Sequence, residues 1–190
     1  MSNECRCVIS VKRVLDSCNK KLSLENARLF CHHIPPQAKP PYTFISALST
    51  QTDAQVSDLS VTRMCDCSTQ ARIKCNVTIP LQVTFIDTCG NQYTCRSETI
   101  IEEDIVMYVP EPSMFPFEIT AVASCSCPSG RFVSESTVEC AKCVTVITKV
   151  ITDADLVVPS YGYSQTPEAT DYDSRECEKY FNLPMYPCGK

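Results

Sequence analysis

The sequence predicts an all-β protein, an antiparallel β-sandwich with an extended C-terminal tail. Three observations lead there. Apolar residues recur at every second position in several stretches, the period of a half-buried strand. Helical spacing is weak throughout. Proline is frequent, at 13 residues, and it clusters between the alternating stretches rather than within them.

Taken in chain order, residues 7–15 read as a first strand. Residues 22–31, LSLENARLFC, suit either two or three helical turns or an extended segment. The run PPQAKPP at 35–41 fixes successive backbone angles and predicts a stiff surface connection. Residues 55–64 read as a strand. The clearest alternation follows: Val77, Ile79, Leu81, Val83 and Phe85 share one face, with Thr78, Gln82 and Thr84 on the other. Pro80 lacks a ladder donor, which predicts an edge strand or a bulge there. Cys89-Gly90-Asn91 reads as the turn joining 81–88 to 92–95. Residues 98–109 form a further expected strand, and Pro110, Pro112 and Pro116 interrupt the chain after it. Phe117, Ile119, Ala121 and Ala123 alternate with polar residues, 131–138 reads as a strand, and CVTVITKVIT at 143–152 is rich in β-branched residues. Beyond Pro159 the alternation stops, and five of the eight tyrosines fall in that segment. The expected organisation is a sandwich domain over 1–158, opening with a short cysteine-bearing arm, and a tail over 159–190.

Composition narrows the partners. The net charge is −5 and no basic block occurs, so nucleic acid is not an expected partner. No apolar run approaches 18 residues, so neither a transmembrane helix nor a membrane partner is expected. The opening MSNECRCVISVKR has no apolar stretch of the kind a secretory signal needs.

Cysteine is the outlier, with 15 residues. So many thiols usually mark small secreted scaffolds, which conflicts with the missing signal. Three Cys-x-Cys pairs, Cys5/Cys7, Cys65/Cys67 and Cys125/Cys127, recur at intervals of 60 residues. In an extended strand both thiols of a pair project from one face. They do not easily bond each other, because a relaxed bridge needs Cβ atoms turned inward. Such pairs suit a double staple to one partner strand, in the same chain or another. The expected crosslinking residues are Cys5, Cys7, Cys18, Cys65, Cys67, Cys89, Cys95, Cys125, Cys127, Cys140, Cys143, Cys177 and Cys188. Cys31 and Cys75 read instead as reduced, buried thiols. No cofactor is expected. One metal alternative stands beside this reading: Cys125, Cys127, Cys140 and Cys143 offer four thiolates, the number a tetrahedral Zn²⁺ takes.

Catalytic motifs are wanting. Four glycines, at 90, 130, 162 and 189, cannot build a phosphate-cradling loop. His32 and His33 are the only histidines, and they read as part of a solvated loop beside Pro35 and Pro36. Glu102-Glu103-Asp104 reads as a charged turn or strand edge. No enzymatic activity is expected.

The stretch CVISVKRVLDSC from Cys7 to Cys18 resembles the start of cysteine-rich spore-surface proteins of anaerobic endospore-forming bacteria. The stretch from Val77 to Phe85, Asp87, the acidic strand reaching Tyr108-Val109-Pro110, and Pro116 to Val122 resemble the same group. That resemblance implies a coat or exosporium protein that self-assembles into a disulfide-toughened sheet or fibre. Its partners would be itself and other spore-surface proteins. It also implies synthesis in the mother-cell cytoplasm and oxidation after lysis, which removes the conflict over the signal. A β-sandwich adhesion or binding module, and a thiolate metal-binding protein, are the alternatives.

Overall fold

The computed structural model describes residues 6–65 and 69–160. They form seven strands: β1 (Arg6–Phe30), β2 (Thr43–Ser49), β3 (Asp53–Arg63), β4 (Gln70–Ile86), β5 (Gln92–Tyr108), β6 (Glu118–Phe132) and β7 (Thr137–Pro159). No helix occurs among the described residues. The chain divides into two compact units, residues 11–154 and the terminal segments 1–10 with 155–190. In the terminal unit the described residues continue β1 and β7, and Val8 and Val157 are exposed there.

Within residues 11–154 the sheet is antiparallel, and β4 organises it. Along one side β4 pairs with β5 without interruption, from Gln70 opposite Tyr108 to Ile86 opposite Gln92. Along the other side it has two successive partners. β3 covers residues 71–78 and β2 covers residues 81–86. Both then pair with β6, at Ala54 with Ala121 and at Ala47 with Cys127, and β6 pairs with β7. The strand order is therefore β1-β7-β6-β2-β4, with β3 alongside β4 and β6, and β5 beyond β4.

This arrangement explains Pro80 and corrects the expectation of an edge strand or bulge. β4 is central, and its ladder with β5 runs through Pro80 opposite Glu98. In antiparallel strands a residue's N–H and C=O point to the same side. The Pro80 carbonyl accepts a hydrogen bond from the Thr50 amide at 3.1 Å, in the turn between β2 and β3. The missing donor thus faces the one place on that side where neither strand pairs.

The alternation predicted for β4 is the core. Val77, Ile79, Leu81, Val83 and Phe85 are all fully buried, and so are Ala71 and Ile73. Ile101 and Met107 of β5 continue this face. Ile119, Ala121 and Ala123 of β6 and Val138, Val144, Val146 and Val150 of β7 supply the opposing layer. Phe85 anchors one end, its ring 4.9 Å from Tyr42 and 5.4 Å from Phe132.

The outer strands β1 and β5 meet through polar contacts. Asp16 Oδ2 accepts the Tyr108 amide at 2.7 Å, Lys20 Nζ donates to the Glu102 carbonyl at 3.1 Å, and His32 and Arg96 exchange backbone hydrogen bonds. These bonds satisfy groups that a bare strand edge would leave open. Residues 22–31 are thus extended rather than helical as far as Phe30. Leu29 supplies the core contact, at 1% exposure.

Two other expectations need correction. Residues 131–138 are not one strand, because β6 ends at Phe132 and β7 begins at Thr137, with a turn at 133–136 between them. Val133 and Ser134 close that turn through amide bonds to the Thr137 carbonyl. Strand β2 was not anticipated at all. Its exposed Ile45 and Leu48 break the alternation that marks other strands.

The turn at 87–91 is held by Asp87. Its Oδ1 accepts the amides of Cys89 and Asn91, both at 2.9 Å, and Gly90 sits at φ 84°, in the left-handed region that favours glycine. Burial opposes the Asp87 charge. The amides of Asn91, Lys39 and Cys89 outweigh that and hold its carboxyl below the usual carboxylate range. Asp104 is likewise held low by the Arg72 guanidinium, at 2.6 Å through both oxygens. A carboxyl depressed in the folded state stabilises above its unfolded pKa and loses that contribution as pH falls through the folded value. Melting temperature is therefore expected to hold from pH 7 to 5 and to fall below about pH 4. In the double variant Asp87→Asn, Asp104→Asn that acid slope should flatten. An unchanged slope would place the acid sensitivity elsewhere.

Candidate functional site: inward and outward thiols

The alternation of each strand sorts the cysteines into two groups. Cys125 and Cys127 of β6 are buried, at 1% and 0% exposure, and Cys140 of β7 is buried at 3%. Cys89 and Cys143 are exposed, as is Cys65. Cys7 and Cys18 are half-buried, and Cys18 packs against the core. Cys5, Cys67, Cys177 and Cys188 lie outside the described residues.

One disulfide is formed among the described residues, between Cys31 and Cys95, with Cα atoms 5.6 Å apart. Cys95 was an expected crosslinking residue. Cys31 was expected as a reduced thiol, and that expectation is overturned. Its partner lies 64 residues away. The two meet because His32 pairs with Arg96 immediately beside them. Cys75 is buried and carries no disulfide. Burial and the neighbouring Glu103 push its thiol pKa up, which keeps it protonated.

Cys125 and Cys127 do point to one face, as i and i+2 in a strand must. That face is the interior. A register shift between Ser126 and Ser129 places Cys127 within a bulge, while Gly130 stands opposite Cys140. The approach there is tight: a Cβ on Gly130 would stand 2.9 Å from the Cys140 Cβ.

Lys142 shares that inward face with Cys140. It faces inward between Cys140 and Val144, at 7% exposure, and donates to Thr99 Oγ1 at 2.6 Å. A buried ammonium needs hydrogen-bond partners or a compensating charge, and Thr99 Oγ1 supplies one such partner. A hydrogen bond from Cys127 and the Lys142 charge hold Cys125 below the usual thiol range. Cys127 is pushed up to about 12, chiefly by its bond to Cys125. Cys140 is raised too, by its bond to Cys127 and by burial.

The four-thiolate metal alternative does not assemble. Cys143 lies on the outer face of β7, turned away from the other three, because odd and even positions project oppositely. No group of three or more metal-ligating side chains comes together among the described residues.

Glu102-Glu103-Asp104 lies within β5 and is not a turn. Glu102 and Asp104 face outward. Glu103 faces inward with its Oε1 3.5 Å from Lys20 Nζ. His32 and His33 are exposed, as expected. Sequence reasoning missed Lys142 as an interior residue. The signal was present, since it shares parity with Cys140, Val144 and Val146 in an alternating strand. Compared with protein-family models, with curated proteins and with solved structures, the chain matches none.

Proposed function

We propose that this chain is a structural building block that joins copies of itself through intermolecular disulfides. The layer or fibre so formed would belong to the bacterial spore surface, with other spore-surface proteins as further partners. The sequence resemblance alone supports that setting and the mother-cell origin that goes with it. Catalysis has no part in this reading.

One observation carries the crosslinking proposal: exposed thiols stand at separate points of one antiparallel body. Cys89 sits in the turn between β4 and β5. Cys143 is exposed on the outer face of β7. One outward thiol would permit only dimers. Two, carried by different elements, let each copy bond to two others and so permit chains. The buried Cys125, Cys127 and Cys140 have no place in that linkage, since reaching another chain would require opening the sheet.

Electrophoresis of oxidised protein without reductant should give a ladder of multimers that collapses to a monomer when reductant is added. In the double variant Cys89→Ser, Cys143→Ser the ladder should shorten by at least half its bands. A ladder that survives reductant, or one that never forms under oxidising conditions, would contradict the proposal.

A further inference from the structure

We propose that copies of this chain dock head to tail, with Met114 and Phe115 of one copy seated in an aromatic hollow formed by residues 40–42 and 132–135 of the next. This docking rests on the self-assembly proposed above and names a contact within it that needs no cysteine.

The two surfaces stand at opposite ends of β4. At one end Gln70 pairs with Tyr108, and the loop that follows β5 carries Met114 and Phe115. Met114 is 97% exposed and Phe115 is 70% exposed. At the other end Thr43 pairs with Ile86, and the rings of Tyr42 and Phe132 gather around Phe85. The 17 residues of β4 set these ends roughly 50 Å apart. The hollow of the same chain is therefore out of reach of its own loop, and the occupant comes from a second copy.

The loop is held in shape before it docks. Arg63 donates to the carbonyls of Val109 and Pro110, at 3.3 and 2.6 Å. Ser113 Oγ donates to the Phe115 carbonyl at 2.6 Å, and Thr152 Oγ1 to the Pro116 carbonyl at 3.4 Å. Pro112 and Pro116 fix two further backbone angles. A segment restrained in this way loses little freedom on binding.

The hollow is a cavity of about 400 Å³ walled by Pro40, Pro41, Tyr42, Phe132 and Val133. Tyr42 and Phe132 meet edge to face, with centroids 5.2 Å apart. Phenylalanine and methionine suit such walls, through ring–ring and sulfur–ring contacts. Charge adds an orientation. Glu111 is the one charged residue of the loop at 110–117. The hollow has Lys39 next to one wall and Glu135 in the other. Glu111 and Lys39 are both exposed, and neither makes an ion pair among the described residues. The loop therefore enters with Glu111 toward Lys39. Because loop and hollow are different surfaces, each docked copy still offers one of each, and the contact extends a chain.

The test is analytical ultracentrifugation of the full chain after its accessible thiols have been blocked by alkylation. Intermolecular disulfides cannot then form, and the buried Cys31–Cys95 bridge stays intact. Wild-type protein should associate beyond the dimer as its concentration rises. The loop variant Met114→Ser, Phe115→Ser and the hollow variant Val133→Asp should each weaken that association at least tenfold. All three changes are at exposed positions, so the melting temperature should hold. Mixed together, the two variants should form dimers and nothing larger, since only one productive contact remains between them. A monomeric wild type, association that both variants leave unchanged, or a mixture that stays monomeric overturns the proposal. Reductant-sensitive ladders of unblocked protein would still appear in each of those cases if the disulfide reading holds, so the two failures are distinguishable.

Discussion

Replacing Phe85 with alanine is expected to cost about 3–5 kcal/mol, the range for deleting a buried aromatic side chain. Phe85 is fully buried. Its ring meets Tyr42, Phe132 and Tyr93, with centroids 4.9, 5.4 and 6.0 Å away. These rings come from four segments of chain: the connection before β2, the end of β4, the start of β5 and the end of β6. The cavity cannot collapse easily, because its walls are strands fixed by ladders on both sides. The urea midpoint should fall with the slope unchanged. An exposed position on the neighbouring strand gives the contrast: Leu48→Ala, at 54% exposure, should stay within about 0.5 kcal/mol of wild type. Equal losses at both sites would mean that Phe85 is not the anchor of this end of the core.

Removing the Cys31–Cys95 bridge should have an effect of similar size by a different route. The two residues are 64 positions apart. A crosslink closing a loop of that length restricts the unfolded chain by about 4 kcal/mol on the chain-entropy account. For a chain of this size that corresponds to a melting temperature roughly 8–16 °C lower in the variant Cys31→Ser, Cys95→Ser. The bridge also acts on the folded side. It joins the end of β1 to β5, the two strands that the ladder path leaves furthest apart and that otherwise meet through Asp16, Lys20 and His32. Hydrogen exchange at the Arg96 and Tyr108 amides should accelerate in the variant. A melting temperature within about 2 °C of wild type would show that the bridge adds little to what the ladders already fix.

Much of the fold was legible because strand alternation is a local signal. Val77 to Phe85 carried the core face of β4 in full, and Cys89-Gly90-Asn91 carried its turn, since Gly90 alone supplies the positive φ there. What was not legible depended on partners distant in sequence. Pro80 looked like an edge residue, because nothing nearby tells that β2 and β3 divide one side of β4 between them. Residues 22–31 allowed a helix or a strand, because β1 is mostly exposed and its polar residues carry no clear period. Cys31 looked like an ordinary buried thiol, since its pairing with Cys95 is set by the meeting of β1 and β5.

The candidate site divides in the same way. That Cys125 and Cys127 share a face followed from spacing alone. Whether that face pointed to solvent or to the core did not follow, because it depends on which face of the sheet packs against the rest of the core. Cys143 shows the same limit. It stands three residues from Cys140, which in sequence suggests a shared metal, yet three steps along a strand reverse the face. Lys142 between them is a charged residue at a core position, where the alternation holds but the residue type argues against burial.

The central claim is that outward thiols join one copy to the next. The most direct measurement mixes isotopically light and heavy protein, oxidises the mixture and maps the disulfides of the isolated multimers. The account predicts mixed light–heavy peptide pairs that contain Cys89 or Cys143, with Cys31–Cys95 always within one isotope. Multimers whose Cys89 and Cys143 are both fully alkylatable, with every bridge confined to a single chain, would contradict it.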